Sequence, residues 1–352
     1  MRPVNVWGTP VIKWRFVSEI TRSSQTAAPG IVRAITTGFD RLASRPYLIL
    51  PALALDFFLW FGPRLNLAGV FNAFAASLAS PTAGPPELAA QVAVAKEMLT
   101  EFGGRFNLFS SLSSFPIGVP SLMSATMPMT SPLGDPQVIP LSDPVAILLL
   151  WMAMTVVGLG LASIYHAAVA NAASPTSPVA GSWGLWLKVL AMAVVAYFGM
   201  GIIVLVSLMA ASVVTLITPF LGTGVAFLGF TLLFWMAVYL IFTPHGLVRY
   251  RLGLVPSMRE SVRIVRRDFF AVVGLLATLA ILSWATGLVW ELPPAVSWFS
   301  ALAVLGHAFI SAMLLVASYV FYVGRREALV EAQRPAPAPD ESAVDRRDAR
   351  GA

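Results

Sequence analysis

An aspartate inside an apolar run is the first residue in this chain that could do chemistry. Asp56 stands between Leu48-Ile-Leu-Pro-Ala-Leu-Ala-Leu and Phe57-Phe-Leu-Trp-Phe. Counted as helix from Tyr47, it lies about 13 Å along the run, near the middle of a bilayer. An ionisable group there is costly and usually faces the bundle interior or water. His307 lies about 18 Å from Ala295 in the last apolar run, at a comparable depth. The two could form a proton or ion relay or contact a polar substrate. Equally, they could be a neutral hydrogen-bonded structural pair, or Asp56 could lie shallower because Pro51 and Pro63 break its run.

His166 and His245 fall near the inner membrane interface. Gly158, Ala162 and His166 recur every four residues, so they share a helix face whose small residues allow close packing. This favours His166 as an interhelical hydrogen bonder, and His245, following Pro244, as a helix-end cap. Two histidines fall short of the ligand count of a structural zinc site. Met123, Met127 and Met129 cluster in sequence; thioethers suit Cu(I), but methionine is also a common apolar filler, and no metal or cofactor is expected. There is no cysteine, which excludes thiolate nucleophiles and disulfides. No HExxH, GxSxG or P-loop occurs, so no catalytic residue is assigned and the reading points away from an enzyme.

The elements that carry these residues follow from composition. Of 352 residues, 57% are hydrophobic and 11% charged, too little polar side chain to cover a soluble fold. Six stretches have about the 20 apolar residues that a bilayer crossing needs: 47–67, 144–170, 188–215, 220–243, 269–290 and 295–323. The expected fold is an all-α polytopic transmembrane bundle of about six spans, with interfacial amphipathic helices and a long outer loop. The first 46 residues lack a continuous apolar run, so no signal peptide is expected and the first span serves as the insertion signal.

Arginine and lysine set the direction. With six spans, 20 of the 23 basic residues fall on one side, and only Arg64, Lys96 and Arg105 on the other. The positive-inside rule then puts both termini in the cytoplasm of a bacterial inner membrane. Trp183 and Trp186 beside Lys188, and Tyr319 and Tyr322 before Arg325, suit interfacial anchors. The chain divides into a basic cytoplasmic arm (1–46), a membrane domain (47–323) and a disordered cytoplasmic tail (324–352). Within the membrane domain, the outer loop covers about 64–143 and a basic cytoplasmic loop about 244–268.

Two basic segments suit helices lying in the membrane surface. In 31–42 the apolar stripe is Ile31, Ile35, Phe39 and Leu42, with Arg33, Asp40 and Arg41 off it. In 256–269 it is Met258, Val262, Val265 and Phe269, with Arg259, Arg263, Arg266 and Arg267 elsewhere. Such helices bury their stripe at headgroup level and pair arginine with anionic lipid; the plainer alternative is positive-inside charge on helix extensions. Charges held against a bilayer argue against nucleic acid as a partner; a protein partner or a second copy stays open. In the outer loop, 86–102 reads as an amphipathic helix with stripe Leu88, Val92, Ala95, Leu99 and Phe102, stopped by Gly103-Gly104. The Ser/Pro/Met-rich stretch 107–140, apolar at Phe109, Phe115, Ile117, Val119, Leu122 and Met123, is expected to pack across the outer mouth of the bundle or to form a loose linker.

Gly38-Phe-Asp-Arg-Leu-Ala-Ser-Arg-Pro-Tyr-Leu-Ile-Leu-Pro and Leu254-Val-Pro-Ser-Met-Arg-Glu-Ser-Val-Arg-Ile-Val-Arg-Arg-Asp-Phe-Phe-Ala-Val-Val-Gly-Leu-Leu resemble segments of bacterial six-span proteins related to the membrane domain of glycerophosphodiester phosphodiesterases. The two also resemble each other, as an old duplication would leave them. The resemblance covers about 40 residues and implies architecture only. The soluble phosphodiesterase domain has no counterpart here, so its activity is not carried over. Three functions follow: a non-enzymatic accessory or assembly protein contacting anionic lipid, a small transporter or channel with Asp56 and His307 near its pathway, or, least favoured, a membrane-embedded enzyme.

Overall fold

The computed structural model describes residues 28–78, 86–113, 116–174 and 178–333. The N-terminal arm before residue 28, Phe115, the side chain of Leu88 and the tail from 334 lie outside them.

Long apolar runs without charge have no way to satisfy backbone polar groups in lipid except as helices, and the chain folds accordingly. Five helices are long and apolar enough to cross a membrane, and a sixth crossing arises if one bent pair counts as a span. In chain order the helices are α1 (Ile31–Ala43), α2 (Leu50–Phe61), α3 (Ala68–Ser77), α4 (Pro86–Arg105), α5 (Leu122–Thr126), α6 (Pro144–Ala173), α7 (Trp183–Thr215), α8 (Pro219–Leu240), α9 (Thr243–Arg249), α10 (Leu254–Arg267), α11 (Phe269–Trp290) and α12 (Phe299–Glu331). This is a multi-pass membrane protein built as an all-α bundle. One short parallel ladder, β1 (Arg64–Asn66) with β2 (Val138–Pro140), clips the two ends of the long loop together.

The helices from α6 onward alternate in direction, so the bundle has two ends. Lys188, Arg249–Arg267 and Arg325–Arg326 gather at one, here the basic end; the turns at 216–218 and 291–298 mark the other. Short turns make α7 and α8 a hairpin. A Cβ at Gly222 would collide with Thr215, and one at Gly229 with Ser207. Most large apolar residues on the hairpin's outer faces, Phe198, Ile202, Phe227 and Phe230 among them, are exposed, as a lipid-facing surface requires.

The expected first span over 47–67 is not a straight helix. α1 and the Pro46–Phe61 segment meet at 98°, with Pro46 and Pro51 setting the break. Proline supplies no N–H and clashes with the preceding turn, so one regular helix cannot run through both positions. α1 packs antiparallel along the basic half of α12. Pro29 lies against Gly324, Gly38 against Ala317 and the Met313 carbonyl, and the Phe39 ring 5.7 Å from Phe309. Its buried face is Ala34, Gly38 and Leu42; Phe39, expected in the buried stripe, is half exposed. Gly38 sets this face because it lets the two backbones approach.

α10 has the same design. Both helices start at an extended glycine, Gly30 and Gly253. Four and eight residues later each buries small side chains, Ala34 and Gly38 in α1, Ser257 and Ser261 in α10. The buried face of α10 is thus Ser257, Ser261, Ile264 and Val265, rotated from the expected stripe; Met258, Val262 and Phe269 are only half buried. Ser261 explains the rotation. Its Oγ donates to the Tyr239 carbonyl (2.7 Å) and accepts from the Phe242 N–H (3.1 Å), sealing the break between α8 and α9.

Two further boundaries differ from the sequence reading. α4 runs through Gly103 to Arg105 rather than stopping, because Gly103 lets Phe71 of α3 approach and its carbonyl accepts from Leu67 N–H at 3.0 Å. α12 continues past Gly324 to Glu331. Ion pairs from Arg325 to Asp268 (3.4 Å) and Arg326 to Glu260 (3.0 Å) hold this extension to α10 and the start of α11.

Gly38→Leu is expected to lower stability by about 1–3 kcal/mol through overpacking against α12. Gly201→Ala, at a helical glycine with open space around it, should be neutral or stabilising. Thermal unfolding of the detergent-purified chain checks both.

Candidate functional site

Asp56 is completely buried. Its Oδ1 accepts from the Ser121 hydroxyl at 2.5 Å and the Met123 N–H at 2.9 Å. Ser121 is the N-cap of α5 and also accepts from Ser124 N–H. The carboxylate therefore sits at the start of a short helix, where N–H groups have no intrahelical partner. Its Oδ2 has no hydrogen-bond partner among the described residues. His307 is bonded instead within its own helix, Nε2 to Ser311 Oγ at 3.3 Å. The structure thus joins Asp56 to the long loop, and His307 to the next turn of α12, rather than the two to each other.

The loop does more than cover a mouth. Ile117, Val119, Leu122 and Met123 are buried in the main core with Leu159, Ala162 and Tyr165 of α6 and Ala308 and Ala312 of α12. The Gly118 carbonyl meets His166 Nε2 at 3.3 Å, and His166 is about 33 Å along α6 from Pro144. α2, at 12 residues, is too short to line the bundle alone, and the loop fills the remaining space.

His166 is the interhelical hydrogen bonder its spacing suggests. A carbonyl only accepts, so the neutral ring carries its proton on Nε2 toward Gly118, and Nδ1 accepts from the Tyr319 hydroxyl at 3.2 Å. His245 lies in α9, just after the break that ends α8, with its Nε2 2.9 Å from Ser318 Oγ and its ring centroid 4.3 Å from that of Tyr319, the two planes tilted by 41°. Next along α12, the Tyr322 hydroxyl donates to Glu260, which also receives Arg326 Nε at 3.0 Å. A polar seam therefore runs along α12 from the loop to the basic end. Sequence reasoning missed Glu260, Tyr319 and Tyr322 as its members; an acid among the arginines of 256–269 was the available signal.

The loop's other anchor is Arg64, almost fully buried. It donates to the Pro128 carbonyl and, at 2.5 Å, to the Arg105 carbonyl that ends α4. Burial, and then the charge of Arg105, pull its pKa below the usual arginine value. Asn107 Oδ1 accepts from both Leu65 and Phe109 N–H at 3.2 Å. Met123 is buried while Met129 is half exposed. Among the described residues, no three His, Cys, Asp or Glu side chains gather as a metal site.

At the basic end, Arg33, Arg259, Arg263, Arg266 and Arg267 are exposed. Arg41 and Arg45 instead reach the last carbonyls of α6, Ala172 at 3.4 Å and Asn171 at 2.9 Å, where cations complement the helix terminus.

Asp56→Ala removes the acceptor for a hydroxyl and an N–H, about 1–3 kcal/mol for each group left unpaired. In a Val119→Cys background, thiol labelling should therefore accelerate at least tenfold, whereas Asp56→Asn, which keeps an acceptor oxygen, should label close to the parent rate. No family model, curated protein or solved structure matches the chain.

Proposed function

We propose that this is a non-enzymatic accessory or assembly protein of a bacterial inner membrane, oriented with its basic end in the cytoplasm and holding anionic lipid there. The observation that carries this reading is the division of α10 into three sectors. At about 100° per residue, Ser257, Ser261, Ile264 and Val265 face the bundle, Val255, Met258 and Val262 form the adjoining apolar sector, and Arg259, Arg263 and Arg266 are exposed beyond it. A helix lying at headgroup level meets those three environments in that order. α1 supports the reading with a bundle face at Ala34 and Gly38, exposed Val32 and Phe39, and exposed Arg33. The shared register of α1 and α10 from their N-cap glycines also supports kinship with the membrane part of glycerophosphodiester phosphodiesterase-related proteins, as architecture without activity.

Each arginine near an anionic surface contributes about 1 kcal/mol. Replacing Arg259, Arg263, Arg266 and Arg267 together with glutamine should reduce the phosphatidylglycerol co-purifying with the chain toward its share of the bulk membrane, as read by lipid mass spectrometry. An unchanged share would defeat the reading. Tags at both ends should report the cytoplasm; opposite sides would overturn the orientation.

A second reading, a small transporter or relay, draws on one observation: the buried, unpartnered Oδ2 of Asp56. A polar atom in that state is where a proton or small cation would reside. On this reading Asp56→Asn alters the pH dependence of proton or cation flux into liposomes, and His307→Ala does so as well. Flux absent from the parent chain, or insensitive to both changes, removes it.

A further inference from the structure

At the basic end, a cleft of about 500 Å³ opens between the α6–α7 connection and the α9–α10 connection. Ser174, Arg249, Tyr250, Arg251 and Glu327 line it. Its size falls in the range of about 300–1,000 Å³ usual for small-molecule sites. Arg249 is almost fully buried, with Nη2 3.1 Å from Ser174 Oγ and its guanidinium 5.5 Å from the Tyr250 ring. Arg326 stacks on the same ring at 3.7 Å. Burial raises the Tyr250 pKa, with Arg326 opposing, so its hydroxyl stays a neutral donor.

Arg251 has a left-handed backbone, φ 52°, a conformation strained for a non-glycine residue. Lys188 Nζ holds it by donating to its carbonyl at 2.5 Å, and Arg251 Nη2 donates to Ala180 at 2.7 Å. The strain turns a second guanidinium toward the cleft. Glu327 is the acid on its wall, and Glu260 is already engaged by Arg326 and Tyr322.

The same connection borders a second cavity. Pro178, Val179 and Ala180 line the cleft, while Gly181, Ser182 and Trp183 line a groove of about 290 Å³ completed by Gly160, Ile164 and Trp186. The groove runs between α6 and α7 on a face where Ile164 and Trp183 are exposed. Glycines open it, and a tryptophan pair, ring centroids 4.4 Å apart, forms its wall. A cationic cleft beside an apolar, tryptophan-walled groove reproduces the two halves of a phospholipid at headgroup depth.

We infer that cleft and groove together bind one anionic glycerophospholipid, its phosphate against Arg249 and Arg251 and an acyl chain along Trp183 and Trp186. This rests on the reading that the basic end faces anionic lipid, and assigns that lipid a defined site away from the arginine face of α10.

Native mass spectrometry of the full chain in uncharged detergent tests it, with dioleoylphosphatidylglycerol, dioleoylphosphatidylcholine and glycerol phosphate as probes. One tightly bound phosphatidylglycerol is expected, with phosphatidylcholine about tenfold weaker. Arg251→Gly suits the left-handed backbone while removing the guanidinium, and should erase that preference without lowering the melting temperature of the lipid-free chain. Arg251→Lys should keep it, and Trp183→Ala should weaken both lipids. The tight lipid should survive the four-glutamine change in α10, which separates this site from the surface contact. Unchanged binding in Arg251→Gly overturns the site. So does loss of the tight lipid in the α10 variant alone. Glycerol phosphate displacing the lipid at equal concentration would assign the cleft to a free phosphate compound and overturn the acyl half.

Discussion

A chain that runs as loop among apolar helices must find a partner for every backbone group it carries inward, because neither lipid nor a packed core supplies one. That constraint governs this protein. The loop through Ile117–Met123 enters the bundle, and the bundle answers with Asp56 for Met123 N–H and the Ser121 hydroxyl, and His166 for the Gly118 carbonyl. Asp56 suits this task because one carboxyl oxygen accepts from both donors. The loop in turn completes the wall that the bent α1–α2 pair leaves open.

α12 is the axis on which these parts meet. Its buried residues, from Ser300 to Val323, pack among α1, α6, α9, α11 and the loop. Tyr319 serves two neighbours, as hydrogen-bond partner of His166 and ring contact of His245. Beyond Tyr322 the seam becomes ionic, through Glu260 and Arg326. Polar groups inside a membrane bundle are retained where they fix one packing arrangement among several apolar alternatives. The seam supplies that selection, and the small residues Gly38, Ala312 and Ala317 supply the fit.

How much of this the sequence disclosed depended on whether a signal was local. The spans from α6 onward were legible because each is a run of apolar residues bounded by turn or charge, and α6 and α11 carry their own limits in Pro144 and Trp290. The bend after α1 was half legible: Pro46 and Pro51 announce a break, but nothing local says that α1 turns along α12. Faces were less legible than elements. Ser261 looks like a polar position of a surface helix, yet it is buried because the Tyr239 carbonyl and the Phe242 N–H bond to its hydroxyl there. For the site, depth along each helix placed Asp56 and His307 at similar levels, but depth fixes only one coordinate. Which neighbour Asp56 meets depended on a loop whose inward course no periodicity encodes.

The docking of α1 on α12 has a consequence for synthesis. Gly38 meets Ala317, so α1 waits for a helix made about 280 residues later. At ~5–20 residues per second that interval is on the order of 15–60 s. During it, α1 lacks α12, the helix that covers most of its apolar face. A helix with Val32 and Phe39 on one side and Arg33 and Asp40 on another can float at the membrane surface in the meantime. Its partner then arrives and the earliest segment of the bundle becomes its closing clasp.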